Sequence, residues 1–183
     1  EKSRGQLICS MNFPAPYLKV SEIAILLDSD KAKSHPFIQW FEDFFQMPSN
    51  CFNKEMLERF VRINTQEYFM SVVPAGTNKL EILKKSLKDA CRSFCFSLET
   101  ASIALSGVAA ETMTQMIWEM SKLTVKGKPI DPSKEKAIFG KEFDSPFLSQ
   151  GRRLQILNGC ELVSNDQFRR LDYIRQSRND VVH

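Results

Sequence analysis

The sequence predicts an all-α protein, an antiparallel helical bundle with an N-terminal extension that is itself mostly helical. Three observations favour this class. Apolar residues recur at spacings of three and four along most of the chain, most prolines and glycines fall between these stretches, and a single short N-terminal segment favours a strand. With 183 residues, 43% of them hydrophobic, the chain can form one core or one compact domain with an appendage.

The N-terminal segments give the first elements. Residues 6–20 are broken by Pro14 and Pro16 and predict a short extended piece, and residues 21–30 predict one or two helical turns. Residues 35–47 predict a longer helix, because aromatic side chains recur there by three and four. These are Phe37, Trp40, Phe41, Phe44 and Phe45. Such a stripe favours a core role, and a partner-binding surface is the alternative.

A domain boundary is predicted after residue 76. Asn53 is placed to cap a helix over residues 54–63, and the segment that follows ends in Pro74 and Gly76, the strongest linker signal of the chain. The sequence therefore predicts an N-terminal region of unknown role over residues 1–76 and a helical bundle over residues 77–183.

Four further helices are predicted within the bundle. The first begins near Asn78, and the second contains small residues that let a neighbouring helix approach closely. Those small residues are Ala101, Ala104, Gly107 and Ala110. A shorter helix runs from Leu148 to Leu157, and a final helix is capped by Asn165.

The five cysteines form no CxxC pair, and the chain has only two histidines, so a four-ligand metal site is hard to assemble. We predict no metal and no cofactor, and we expect buried, reduced thiols. The sequence has no apolar run long enough to cross a bilayer and no signal-peptide segment at its start, which predicts a cytoplasmic protein without a membrane partner.

Arginine dominates the positive charge of the C-terminal part. From Ser145 onward the chain has six arginines and no lysine, within an overall net charge of +3. Guanidinium is a permanently charged, fork-shaped donor that suits bidentate phosphate recognition. A solvated helix face is the alternative explanation of this composition.

Arg178 falls on or beside the apolar stripe of the final helix, so its charge needs a partner. Glu111 is the most conspicuous internal acid, because small and apolar residues surround it in the sequence. An ion pair between the two would either fix the helix register or aim the guanidinium at a substrate.

Two more polar residues follow in the terminal motif RNDVVH. Asn179 and His183 are four residues apart, and Arg178 projects about 100° away from Asn179 around the helix. Histidine exchanges a proton near neutral pH, and arginine stabilises charge on a phosphate. Together they suffice, without metal, for attack of a ribose 2′-hydroxyl on its phosphodiester, although isolated helical Arg and His residues are more often structural.

The motif RNDVVH has the form R-x4-H with a polar residue directly after the arginine, and it resembles the hallmark of HEPN domains. The segments SIALSGVAAETMTQMIWEM and GRRLQILNGCELVSNDQFRRLDYIRQSRNDVVH are similar to the acid-bearing helix and the closing part of that family, especially of its DUF4145 branch. HEPN domains are small helical bundles of prokaryotic RNase toxins, CRISPR-associated nucleases and other defence proteins. The resemblance does not extend to the first 76 residues.

This resemblance implies a metal-independent endoribonuclease that cleaves single-stranded RNA in defence or in a toxin–antitoxin system. Arg178 would bind the scissile phosphate, His183 would transfer protons, Asn179 would orient one of these groups or the RNA, and Glu111 would support Arg178. Two copies of the motif would converge in a homodimer, with an antitoxin or a larger defence complex as a further partner. The preceding arginines would contact RNA. These are Arg169, Arg170 and Arg175.

The alternative is a HEPN-like module without catalysis that serves dimerisation, regulation or nucleotide binding in a larger defence protein. Its terminal Arg, Asn and His would then be structural or would bind a ligand.

Overall fold

The protein is described by a computed structural model over residues 18–64, 77–120, 124–125, 128–129 and 148–182. In these ranges it is all-α, as predicted, apart from a two-stranded antiparallel pair, β1 (Thr124–Val125) and β2 (Lys128–Pro129). The α-helices are α1 (Ile23–Leu27), α2 (Ser29–Ala32), α3 (Ile38–Phe45), α4 (Lys54–Asn64), α5 (Thr77–Cys95), α6 (Glu99–Met120), α7 (Gln150–Gly159) and α8 (Asn165–Val182). Two short 3-10 turns cover Val20–Glu22 and Ser49–Cys51. The predicted extended piece lies almost wholly outside the described residues.

The described residues form two compact units. The first unit contains residues 18–64 and 88–102, and the second contains residues 77–87, 103–120, 124–125, 128–129 and 148–182. The divisions therefore fall inside α5 and α6. The predicted boundary after residue 76 adjoins residues that are not described, and it stays a prediction.

Aromatic side chains fill the core of the first unit. Phe41, Phe44 and Phe45 of α3 are buried, which places most of the predicted aromatic stripe in the core rather than on a partner-binding surface. Phe60 of α4 packs against the stripe with ring centroids 5.3 to 5.9 Å from those of Trp40, Phe41, Phe44 and Phe45. Phe37 is the exception, with 48% exposure.

Local signals set the ends of the helices in this unit. The side chain of Asn53 accepts a hydrogen bond from the Met56 N–H at 2.8 Å, so the predicted cap of α4 is confirmed. Helix α3 ends at Phe45, and the residue that caps it, Gln46, has a φ of 57° in the left-handed region. Pro48 follows two residues later.

The second unit has an aliphatic core with one tryptophan. Its buried members are Ala110, Trp118, Leu148, Leu154, Leu157, Val163 and Leu171. Helices α7 and α8 pack against each other. The side-chain amide of Asn158, near the end of α7, donates a hydrogen bond at 3.0 Å to Oδ1 of Asn165, the first residue of α8.

The predicted cap of the last helix is wrong by one residue. Ser164 Oγ accepts the Gln167 N–H at 3.2 Å, and Gln167 Oε1 accepts the Ser164 N–H at 2.9 Å, which is a complete capping box. Asn165 instead accepts the bond from Asn158. The S-x-x-Q spacing satisfies two orphan N–H groups, whereas Asn165 as cap would satisfy one.

The expectation of buried thiols is correct for Cys95 and wrong for Cys51 and Cys160, which are exposed. Cys51 ends a 3-10 turn and Cys160 directly follows α7, so both lie at element ends rather than on a core face. Cys91 is half-buried. Burial raises the pKa of Cys91 and raises the pKa of Cys95 to about 12.

Thiol alkylation should separate these cysteines. At pH 8 the raised pKa of Cys95 leaves it about a thousand times less ionised than an ordinary thiol, and the thiolate is the form that reacts. We expect iodoacetamide to modify Cys51 and Cys160 in the folded protein and to reach Cys95 only after urea unfolding, as read by peptide mass spectrometry. Modification of Cys95 at the rate of Cys51 in the folded protein would contradict this.

Truncating the central ring of the first unit should be costly. Phe60 is 2% exposed and contacts four other aromatic rings, so Phe60→Ala should lower the free energy of unfolding by about 3–5 kcal/mol. Phe37→Ala is the matched control and should cost at most about 1 kcal/mol. Urea unfolding followed by circular dichroism measures both, and equal costs would show that Phe60 is not a core residue.

Candidate functional site

Helix α8 carries Arg178 on its packed side. Leu171 lies two helical turns earlier, hence nearly in line with Arg178, and it is buried. The Arg178 side chain retains 23% exposure, so it is half-buried beside the apolar stripe, where the sequence places it. Burying a cation at such a position costs free energy unless polar or charged partners replace the hydration that it loses.

Glu111 of α6 is the main partner of Arg178. Arg178 Nη1 donates a hydrogen bond to Glu111 Oε2 at 2.7 Å, and the two groups form an ion pair. The Glu111 side chain is 37% exposed, so solvent screens this pair in part. The structure thus brings together the two residues that sequence reasoning paired across 67 positions.

Asn179 joins the same group of side chains. Its Oδ1 accepts a long hydrogen bond from Arg178 Nη2 at 3.4 Å. An arginine has five N–H donors, and these two contacts occupy two of them. Within the described part of the chain, the other donors of Arg178 have no protein acceptor.

The aliphatic part of Arg178 lies against Gly107 of α6. Gly107 is buried and stands one helical turn before Glu111 on the same face of α6. In the sequence Gly107 stands out only as one of four small residues, because nothing in a sequence says which side chain fills the space over a glycine.

The three other arginines predicted to contact RNA do not share one face of α8. Arg175 lies one helical turn before Arg178 and pairs with Asp172 at 2.8 Å. Its side chain lies over Gly151 of α7, where a Cβ atom would be 3.4 Å from Arg175 Nε. Arg170 is exposed and pairs with Asp166 at 2.9 Å.

Arg169 is also exposed, and it precedes Arg178 by nine residues, which places it about 180° away around the helix. A single strand held by Arg178 would therefore reach Arg175 more readily than Arg169. Their proposed contacts with RNA stay predictions.

His183 lies outside the described residues. Its predicted role in proton transfer, and its placement one turn after Asn179, stay predictions.

Two further observations bear on ligands and membranes. Within the ranges that the structure describes, no three His, Cys, Asp or Glu side chains cluster as metal ligands do. In those same ranges no helix is both long enough and apolar enough to cross a bilayer.

Comparison of the chain with protein-family models, with curated proteins and with solved structures gave no match. The likeness to HEPN domains therefore rests on the motif RNDVVH and the helices before it.

The ion pair should contribute measurably to stability. In a double-mutant cycle of Glu111→Gln and Arg178→Gln, we expect a coupling of about 0.5–1 kcal/mol in the free energy of unfolding, since both groups are partly exposed. The coupling should fall in 1 M salt, where the Debye length is about 3 Å.

The exposed pair Asp166 and Arg170 gives a matched control for this cycle, with side chains 69% and 77% exposed. Its coupling should be smaller, because solvent screens it more fully. A coupling at Glu111 and Arg178 no larger than the control value would contradict the expectation.

Proposed function

We propose that the chain is a metal-independent endoribonuclease that cleaves single-stranded RNA with Arg178, Asn179 and His183. The observation that supports this most is the pairing of Arg178: Glu111 and Asn179 accept from two of its five N–H donors, and the other three have no protein acceptor within the residues that the structure describes. A guanidinium fixed in this way is suited to a phosphate, because little side-chain freedom remains to be lost on binding.

The reaction is a transesterification. The ribose 2′-oxygen attacks the adjacent phosphorus, a 2′-O–P bond forms, and the bond from phosphorus to the 5′-oxygen of the next nucleotide breaks. The products are a 2′,3′-cyclic phosphate and a 5′-hydroxyl. Arg178 stabilises the negative charge that accumulates on the phosphoryl oxygens. His183 accepts the 2′-hydroxyl proton, and a protonated histidine or water supplies the proton that the leaving oxygen takes up.

A homodimer fits this chemistry better than a monomer. Each chain has one RNDVVH motif, and the reaction uses both a base and an acid. Two motifs facing each other across a two-fold axis would supply two imidazoles and two guanidinium groups to one strand. We place the activity in the cytoplasm, in prokaryotic defence or a toxin–antitoxin system, where an antitoxin or a larger complex would restrain it.

A second candidate is a module without catalysis. The same ion pair favours it, since a bond between Arg178 and Glu111 would also fix the register of α8 on α6. In that case the motif would serve packing, and the chain would act in dimerisation, regulation or nucleotide binding.

RNA digestion by the full chain with EDTA present distinguishes the two candidates. We expect cleavage of single-stranded RNA, with products that end in a 2′,3′-cyclic phosphate. His183→Ala should lower the rate by about 100-fold to 10,000-fold, and Arg178→Lys should lower it by about 100-fold, because lysine keeps the charge but loses the fork.

Arg152→Ala removes an exposed arginine of α7 and is the matched control, with an expected rate equal to that of the wild type. Circular dichroism confirms that each variant is folded. Absence of cleavage across single-stranded RNAs of varied sequence would favour the module. Full activity of His183→Ala would instead contradict the proposed mechanism.

A further inference from the structure

We infer that Gly107 is a positioning residue, which sets how closely α8 approaches α6 and thereby aims the Arg178 guanidinium. The catalytic meaning of this inference rests on the proposed function, whereas the geometry does not.

The space over Gly107 is occupied by the stem of Arg178. A Cβ atom added at Gly107 would lie 2.3 Å from Arg178 Cδ, 2.7 Å from Cγ and 2.8 Å from Cβ. Carbon atoms that are not bonded approach to about 3.5–4.0 Å. No residue other than glycine therefore fits at position 107 while Arg178 stays where it is.

A change of rotamer does not relieve this collision. Rotation about the side-chain bonds moves Cγ and Cδ of Arg178, but its Cβ moves only with the backbone of α8. A methyl group at position 107 would thus displace α8 from α6 by on the order of 1 Å. The glycine acts on the distance between two helices and not merely on one side chain.

The same contact sets the direction of Arg178. Gly107 and Glu111 stand one turn apart on one face of α6, about 6 Å along its axis. The stem of Arg178 lies over Gly107, and its Nη1 reaches Glu111 Oε2. The side chain therefore runs along α6 for one turn, with the glycine under its base and the carboxylate at its tip.

Other helical glycines lack this role. A Cβ at Gly159 would meet nothing within 4 Å, and a Cβ at Gly151 would meet only the end of the Arg175 side chain, at 3.4 Å or more. Of these three glycines, Gly107 alone lies against the stem of a motif residue.

The test compares Gly107→Ala with Gly159→Ala, two identical changes in helices of the same unit. In the RNA-cleavage assay, Gly107→Ala should lower kcat by about 100-fold, the loss that a displacement of 1 Å can cause, with a smaller change in KM. Gly159→Ala should cleave as the wild type does. A purely structural role for Gly107 would reduce the folded fraction without lowering kcat per folded molecule.

A second measurement does not depend on cleavage. The coupling between Glu111→Gln and Arg178→Gln is measured by urea unfolding in the wild type, in Gly107→Ala and in Gly159→Ala. We expect it to be lost in Gly107→Ala and retained in Gly159→Ala. Retention in Gly107→Ala would overturn the inference, whatever the activity.

Failure of the inference is distinguishable from failure of the proposed function. If the wild type cleaves no RNA, the proposed function is wrong, and the coupling energy between Glu111 and Arg178 still tests the role of Gly107. If the wild type is active and Gly107→Ala is equally active, only the inference about Gly107 is wrong. If Gly107→Ala does not fold, Arg178→Gly is added to it. Recovery of the fold assigns the collision to the Arg178 side chain, and continued unfolding overturns the inference.

Discussion

The close approach of α8 to α6 at Gly107 is the constraint on which the candidate site depends. Because the stem of Arg178 occupies the space that a side chain at Gly107 would need, the guanidinium lies within hydrogen-bond reach of Glu111. Both side chains of the pair are partly exposed, Arg178 at 23% and Glu111 at 37%. We expect a larger separation of the two helices to lengthen or break the hydrogen bond from Arg178 to Glu111.

Much of the helical pattern could be predicted from the sequence, because an amphipathic helix is marked by apolar residues three and four positions apart. The aromatic stripe of α3, the Asn53 cap and the final helix all follow from residues within four positions of one another. Residue type alone does not say which residue caps α8, since Ser164 and Asn165 are both favourable N-cap residues. The reciprocal hydrogen bonds between Gln167 and Ser164 make Ser164 the cap.

The site was predictable in part. Arg178 is conspicuous because it interrupts an apolar stripe, and Glu111 is conspicuous because it is an acid among small residues. Each of these charges needs a partner of opposite sign, which suggests that the two residues pair. The packing of Arg178 over Gly107 depends on how two helices that are far apart in the sequence pack together, and no local sequence pattern encodes that. The exposure of Cys51 and Cys160 was missed for a similar reason, because composition says how often cysteines are buried but not which ones lie at the end of an element.

The distribution of the two tryptophans gives each unit its own fluorophore. Trp40 stacks on Phe44 in the first unit, and Trp118 is buried in the core of the second. Replacing either indole with phenylalanine would leave emission from one unit alone. Thermal or chemical melting of the two single-tryptophan proteins would then tell whether the halves lose their structure as one cooperative body or in succession.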